Sequence, residues 1–470
     1  MAEVIGALGE IVGAAQVLTG AEAAGHARDW TGAYVCDPLC VVRPATTGEV
    51  AAVLRLANAT GVPVVPLAGN TGLTGGGGAD GAILLSVERM RAIRAIRPEA
   101  HVAVVEAGVV LADLQAAAEA HDLAFPLSFG AQGSARVGGA LATNAGGSNV
   151  LRYGNARDLC LGLEAVLPTG EVVDLMSELH KDNSGYDLRD LLIGAEGTLG
   201  VITAAVLTLV PRPRAYATAT VAVASVDDGL ALLNRLQRET GGAVEACELM
   251  PGRYLDALAA HDPAVRPPFD ARHAVNLLIE VGATAPRDAT PGPDGATPVQ
   301  AQLEEILGDL FEAGAVHDAV VAQSDAQRAE MWARRERAAE VVLAPGPVAV
   351  NDLAVPLDRV GAFLAQADAA VAALDAGAVP LAVAHLGDGN VHYAVRLSRD
   401  DAALKEAIVE AVEEIVREMR GSFSAEHGIG RAKLPSMRRR KDPGALAAMR
   451  AIKAALDPAG VMNPGKVLPD

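Results

Sequence analysis

The chain is poor in aromatic residues. Six Phe, six Tyr and two Trp among 470 positions make up 3%. A core built on ring packing is therefore excluded, and Ala, Val and Leu must fill the interior. Positive charge is also short: 39 Lys and Arg stand against 58 Asp and Glu, for a formal net charge of −19. That balance argues against nucleic acid or an anionic membrane as a partner. Cysteine is limited to positions 36, 40, 160 and 247. Cys36 and Cys40 are spaced CxxxC, neither a zinc-knuckle nor a thioredoxin pattern, and the four make no iron–sulfur motif. Reduced thiols in a cytoplasmic protein are the expectation. No charge-free apolar run reaches the length of a membrane span. The N-terminus carries Glu3 and Glu10 without a basic stretch, so it reads as an amphipathic helix and not as a signal peptide.

What is present is an apolar half of the chain, ample for a large core, and a length that fits two domains or one composite domain. From about 40 to 213 short strands and helices alternate: a helix over Thr47–Ala59, strands at Val62–Pro66, Ala82–Ser86 and Val102–Glu106, a helix at Val110–Ala120, and a hairpin of Leu163–Leu167 with Val172–Leu175. Pro211-Arg212-Pro213 ends an apolar β-branched run and marks a boundary. A second αβ pattern follows, with strands at Ala217–Ala224, Val244–Leu249, Ala274–Val281 and Ala315–Val321. Its helices are Val226–Glu239, Val299–Ala313 and a longer one holding Trp332, Arg335 and Glu336. The stretch 283–300 reads as a surface loop. The fold class expected is α+β: residues 1–213, a second domain over 214–420 whose antiparallel sheet is covered by helices on one face, and a segment over 421–470 that packs back on the first domain.

The densest chemistry lies in Ala384-His385-Leu386-Gly387-Asp388-Gly389-Asn390-Val391-His392, answered by Ser424-Ala425-Glu426-His427-Gly428. A two-residue Asp388-Gly389 turn of type I′ would set His385 directly opposite His392. Opposed residues share a face at about 4.5–5.5 Å between Cβ atoms, close enough to share one divalent cation. Glu426 could complete a His-His-carboxylate set, leaving His427 free as a base. A single His on a strand is usually a plain core or surface residue, and a closed structural metal site is the intermediate reading. Three His in Gly-rich turns within 43 residues favour a site, and structural zinc favours four Cys or His ligands. Adjacent strand residues point to opposite faces, so Glu426 and His427 can serve one site only on irregular backbone, which Gly428 and Gly430 permit.

Two glycine clusters precede this: Pro66-Leu67-Ala68-Gly69-Asn70-Thr71-Gly72-Leu73-Thr74-Gly75-Gly76-Gly77-Gly78, and Gly138-Gly139-Ala140-Leu141-Ala142-Thr143-Asn144-Ala145-Gly146-Gly147. Glycine lets successive N–H groups approach an anion, so the pair reads as two loops holding a diphosphate, against the plainer reading of flexible loops. Gly76, Gly78 and Gly81 match G-x-G-x-x-G. A Rossmann fingerprint is rejected because a loop precedes the match and a strand follows it.

At these residues the chain resembles flavoproteins of the vanillyl-alcohol oxidase and p-cresol methylhydroxylase type. Ala68-Gly69-Asn70-Thr71-Gly72, Gly133-Ser134, Gly138-Gly139, Ala142–Gly147 and Glu196-Gly197-Thr198-Leu199-Gly200-Val201-Ile202-Thr203 carry the likeness. Within that family it is similar to the D-2-hydroxyglutarate dehydrogenases, through Leu151-Arg152-Tyr153-Gly154, Lys181–Leu188, the 385–392 turn and Ala425–Gly430. The resemblance implies a two-part FAD-binding domain and FAD-dependent oxidation of a D-2-hydroxy acid. FAD would meet Pro66, Ala68, Gly69, Asn70, Thr71, Gly72, Leu73, Gly133, Ser134, Gly138, Gly139, Asn144, Ala145, Gly147, Tyr153, Glu196, Gly200, Val201, Ile202 and Asn463. It implies zinc or manganese on His385, His392 and Glu426, proton abstraction by His427, substrate orientation by Asn390 and a carboxylate grip by Arg335. For Arg335 the plainer reading is a helix-surface ion pair with a neighbouring Glu.

No His lies between Gly61 and Gly81, so the flavin should be non-covalent. The electron acceptor implied is an electron-transfer flavoprotein or a quinone, and homodimerisation is open. One departure stands out: the hydroxyglutarate enzymes carry a Lys where this chain has Val350, which raises D-lactate or another short-chain acid as substrate unless Arg334 substitutes. Readings from other classes are a flavin-free metal hydrolase and a non-catalytic flavoprotein subunit.

Overall fold

The computed structural model describes residues 1–30, 32–78, 80–293 and 295–470. It separates into two compact units, Met1–Gly146 with Gly154–Pro211 and His427–Asp470, and Gly147–Tyr153 with Arg212–Glu426. One division between them falls between Pro211 and Arg212. Two details differ from the sequence reading. Gly147–Tyr153 belongs to the second unit, and the return of the chain to the first unit begins at His427. Among the described residues, no helix is long and apolar enough to cross a membrane, and none of the four cysteines forms a disulfide.

The first unit contains two principal sheets. In one, Cys40–Val42, Ile83–Ser86 and Val64–Leu67 run parallel, with the short Val17–Leu18 antiparallel at the edge. These strands are almost wholly buried, as parallel strands require. The helix Thr47–Thr60 covers them. Thr46 caps its start by accepting from the Glu49 amide, and Gly61 in the left-handed region closes its end. The other sheet is antiparallel, in the order 93–97, 102–106, 201–208, 160–166, 172–175. The C-terminal tail returns to the parallel sheet: the Val64 amide donates to the Val461 carbonyl, and the Asn463 amide donates to that of Val64.

The second glycine cluster is not the open loop expected of it. Val137–Thr143 is an α-helix, and only the residues beyond it are irregular. Gly138 and Gly139 serve close packing. A Cβ on Gly138 would lie 2.7 Å from the Ala107 Cβ, and one on Gly139 would lie 3.0 Å from that of Ala68. The strand Ile83–Ser86 does follow Gly76–Gly81, so the rejected Rossmann reading stays rejected.

The second unit is built on a seven-stranded antiparallel sheet in the order 316–321, 215–223, 275–283, 244–251, 379–385, 390–396, 348–354. Strand alternation divides it into two faces. Ala219, Val221, Leu277, Ile279, Cys247, Leu249, Ala384, Val391 and Tyr393 point one way, into a core shared with the helices 226–239, 298–312, 360–374 and 402–418. The other face carries Glu280, Glu248, His385, His392 and Asp352. Part of it is apolar and is covered by the helices 252–261, 325–336 and 338–342 through Tyr254, Leu258, Met331 and Val341. The 283–300 stretch is not all loop: Pro286–Ala289 is a short helix and Pro298 opens the next one. Residue 294 lies outside the described residues.

Candidate active site

Register decides which side chains of the second unit meet. Glu248 pairs with His385, His385 with Asn390, and His392 with both Val383 and Asp352. The type I′ turn is therefore absent. Gly389 alone has positive φ at its tip, and the connection is four residues, Leu386–Gly389. A Cβ on Gly389 would lie 2.2 Å from the Val355 carbonyl oxygen, so glycine is required. His385 and His392 are diagonal neighbours on one face, not opposed ones, and still meet: their Nε2 atoms are 3.4 Å apart.

A metal ion fits this spacing. Two imidazole nitrogens at about 2.0–2.1 Å from one tetrahedral cation stand about 3.4 Å from each other. His392 Nε2 is also 3.5 Å from Glu426 Oε1. Burial pushes the His392 imidazole down to about 4, against the opposing pull of Glu426, which leaves it neutral and able to ligate near neutral pH.

The sequence reading missed Asp352. Single ligand atoms of Asp352, His392 and Glu426 all lie within 4.8 Å of one another. The nearer distances favour the set built on His392 Nε2, because Asp352 Oδ1 sits 3.7 Å from the other ring nitrogen, Nδ1. Asp352 also accepts from the Asn390 side-chain amide at 3.0 Å and from the Glu426 backbone N–H at 3.1 Å. It thus ties three site residues together. Asn390, expected to orient substrate, uses its Nδ2 on Asp352 and on the Leu353 carbonyl.

Arg335 is neither on the helix surface nor paired within its helix. It is 8% exposed, and its Nε donates to Glu248 Oε2 at 2.7 Å. The other oxygen of Glu248 lies 2.8 Å from His385 Nδ1. Burial alone would raise the Glu248 pKa, but His385 and Arg335 hold it below the ordinary carboxylate range. Burial would lower His385, and the Glu248 carboxylate reverses that and raises it. Arg335 Nη2 is buried and has no protein partner, an orphan donor of the kind a ligand carboxylate satisfies.

Arg334 is engaged elsewhere. Its Nε donates to the Arg266 carbonyl at 2.9 Å and its Nη2 to Glu330 at 2.9 Å. On the same helix, Arg328 and Trp332 hold the buried Glu280. Val350, two residues before Asp352 on the edge strand and on the same face, is 46% exposed and offers no charge.

In the first unit, His427 lies on irregular backbone. Gly428 and Gly430 take φ of 76° and 51°. Glu196, expected to touch FAD, accepts from the Ile429 and Gly430 amides at 2.7 Å each. Thr74, in the first glycine cluster, donates through Oγ1 to the His427 carbonyl at 3.3 Å. Asn144, also expected at FAD, accepts from the Arg157 amide at 2.9 Å. Tyr153 lies in the second unit, donating to Glu245 at 2.8 Å beside Arg152.

Three further features of the first unit suit a dinucleotide. Gly69 packs so tightly that a Cβ would lie 2.4 Å from the Ser134 carbonyl, which joins two of the expected segments. Beyond Gly72 and Gly133 the space is open. Asn463, whose Nδ2 bonds the Gly76 and Glu196 carbonyls, keeps a buried Oδ1 without a partner.

Comparison with known proteins gives the class first. The FAD binding domain family matches residues 38–176, and the family of FAD linked oxidases, C-terminal domain, matches residues 212–467. The fold is that of p-cresol methylhydroxylase, at a TM-score of 0.72 and 16% identity over 100% of this chain and 97% of that one. Alkyldihydroxyacetonephosphate synthase is similar at 0.73 and 16%, over 99% and 84%. These define a two-domain FAD-dependent oxidoreductase. D-2-hydroxyglutarate dehydrogenase of Xanthomonas citri pv. viticola is 34% identical over 94% of this chain and 92% of its own length. The mitochondrial enzyme of Bos taurus is 36% identical over 94% and 79%. The chain belongs to the D-2-hydroxyglutarate dehydrogenase family of FAD-linked oxidases.

Proposed function

We propose that the protein oxidises a D-2-hydroxy acid to the 2-oxo acid, with D-2-hydroxyglutarate the first candidate. The observation that carries this is the meeting of His385, His392 and Glu426 with an orphan Arg335 donor on one sheet face. Bound, the groups would supply two things: Lewis acidity at the hydroxyl oxygen and a two-electron acceptor in the flavin. The chain does the rest. Arg335 Nη2 receives the substrate carboxylate, fixing which hydrogen on the α-carbon is presented. His385, His392 and Glu426 hold the cation, and Asp352 steadies His392, Asn390 and the Glu426 backbone. His427, next after Glu426 in the chain, takes the hydroxyl proton. An electron-transfer flavoprotein or a quinone would serve as the electron acceptor.

A second reading concerns the substrate's other end. Val350 is uncharged and Arg334 is committed to Glu330 and a carbonyl. A short or neutral side chain, as in D-lactate, is then accommodated without an unpaired carboxylate. Anaerobic mixing of the holoenzyme with D-2-hydroxyglutarate, D-malate, D-lactate and their L enantiomers tests both readings. Bleaching of the flavin by D acids only is expected. Bleaching by none of them would overturn the proposal.

A further inference from the structure

One fully buried carboxylate beside the candidate site is not among its ligands. Glu248 is fully buried in the centre of the sheet and has two partners, one on each oxygen. Oε1 faces His385 Nδ1 at 2.8 Å and Oε2 faces Arg335 Nε at 2.7 Å. His385 is opposite Glu248 across the strand pair, so the register brings the two side chains together in the first contact. The second pins the helix 325–336 to the sheet at the position where Arg335 turns its unpartnered Nη2 inward.

We propose that Glu248 is a positioning residue that sets two functions at once: which nitrogen of His385 is offered to the cation, and where Arg335 holds its free donor. The inference rests on the reading of the site given above. A carboxylate accepts at both oxygens and donates at neither. Arg335 Nε is always a donor, so Oε2 satisfies it. His385 must then present Nδ1–H to Oε1, which leaves the Nε2 lone pair directed toward His392 Nε2, 3.4 Å away. Partners behind metal-bound imidazoles act in this way, fixing the tautomer and ring orientation. Here the same group also braces the carboxylate-binding arginine, so metal affinity and substrate binding become linked through one side chain.

Glu248→Gln separates this from a merely structural role. Glutamine keeps the shape but offers one acceptor and one donor. If its oxygen serves Arg335, its amide faces His385 Nδ1. The proton then moves to Nε2, and ligation is lost. If it is turned round, two donors meet at Arg335. The measurement is the dissociation constant for Zn²⁺, by competition with a chromophoric chelator, on FAD-loaded wild type and variant, alongside KM and kcat. FAD content and thermal midpoint report folding. We expect binding weaker by about 10- to 100-fold, the usual cost of losing such a partner. Flavin reduction should recover at high Zn²⁺, while KM for the hydroxy acid stays raised. Glu248→Asp, which keeps two acceptors on a shorter arm, should regain part of the affinity. Wild-type Zn²⁺ affinity and wild-type KM in a folded Glu248→Gln protein would overturn the inference. A wild-type holoenzyme that binds no Zn²⁺ would instead overturn the reading of the site beneath it.

Discussion

The two faces of the seven-stranded sheet are made by the same strands, residue by alternate residue, yet they do opposite work. One face is Val, Leu, Ile and Ala packed under four helices. The other carries Glu280, Glu248, His385, His392 and Asp352, each with a partner that the sheet register or the 325–336 helix supplies. Buried carboxylates add little net stability, since desolvation offsets most of the Coulombic gain. The apolar face therefore supplies the stability, and the polar face spends some of it on fixed geometry. A rigid sheet is a better platform for ligands than a loop because each side chain inherits the strand's position.

The sharpest way to break this comparison is one substitution on each face. His392→Ala removes the nitrogen that lies nearest both His385 and Glu426. Substrate-driven flavin reduction should fall by more than the roughly 100-fold that the loss of an outer partner can cause, with FAD retained and the thermal midpoint little changed, as stopped-flow absorbance and calorimetry would show. His427→Ala should slow the same step by about two to four orders of magnitude, with a smaller change in substrate affinity. If affinity collapses while the single-turnover rate is kept, His427 binds and does not abstract. On the opposite face, Ile279→Ala leaves a cavity in a fully buried position. It should cost about 2–5 kcal/mol in a denaturant titration and leave Zn²⁺ affinity as it was.

Much of this arrangement was legible in the sequence, and the reasons for the rest are physical. Strand and helix positions followed from periodicity, and the end of the first αβ pattern from Pro211-Arg212-Pro213. The His385, His392 and Glu426 set was readable because Gly-rich turns isolate it. Its register was not, because an Asp-Gly pair is compatible with both a two-residue and a four-residue connection. Gly138-Gly139 read as a loop because glycine disfavours helices, and tertiary packing against Ala107 and Ala68 overrode that preference. Asp352 and Glu248 were missed although a signal existed. Each is an acid set in a largely apolar strand, Asp352 alone and Glu248 with Glu245, which implies burial with a partner. Which partner it is depends on pairing between strands far apart in the chain.

The smallest effect expected is at the rim of the polar face. Val350→Lys would place an ammonium beside the substrate's distal end, in a position 46% exposed in the present residue. Solvent limits such a pair to about 0.2–1 kcal/mol, so kcat/KM for D-2-hydroxyglutarate relative to D-lactate should rise by no more than about fivefold. A wild type that already prefers D-2-hydroxyglutarate strongly would mean that another cation serves the distal carboxylate.

The most direct test of the polar face as the reacting face is an anaerobic titration of the FAD-loaded protein with D-2-hydroxyglutarate, or the best D acid of the panel, before and after chelation. The account predicts that the chelated protein keeps its flavin spectrum, fails to bleach, and bleaches again on return of one equivalent of Zn²⁺ or Mn²⁺. Full bleaching by the metal-free protein would contradict it.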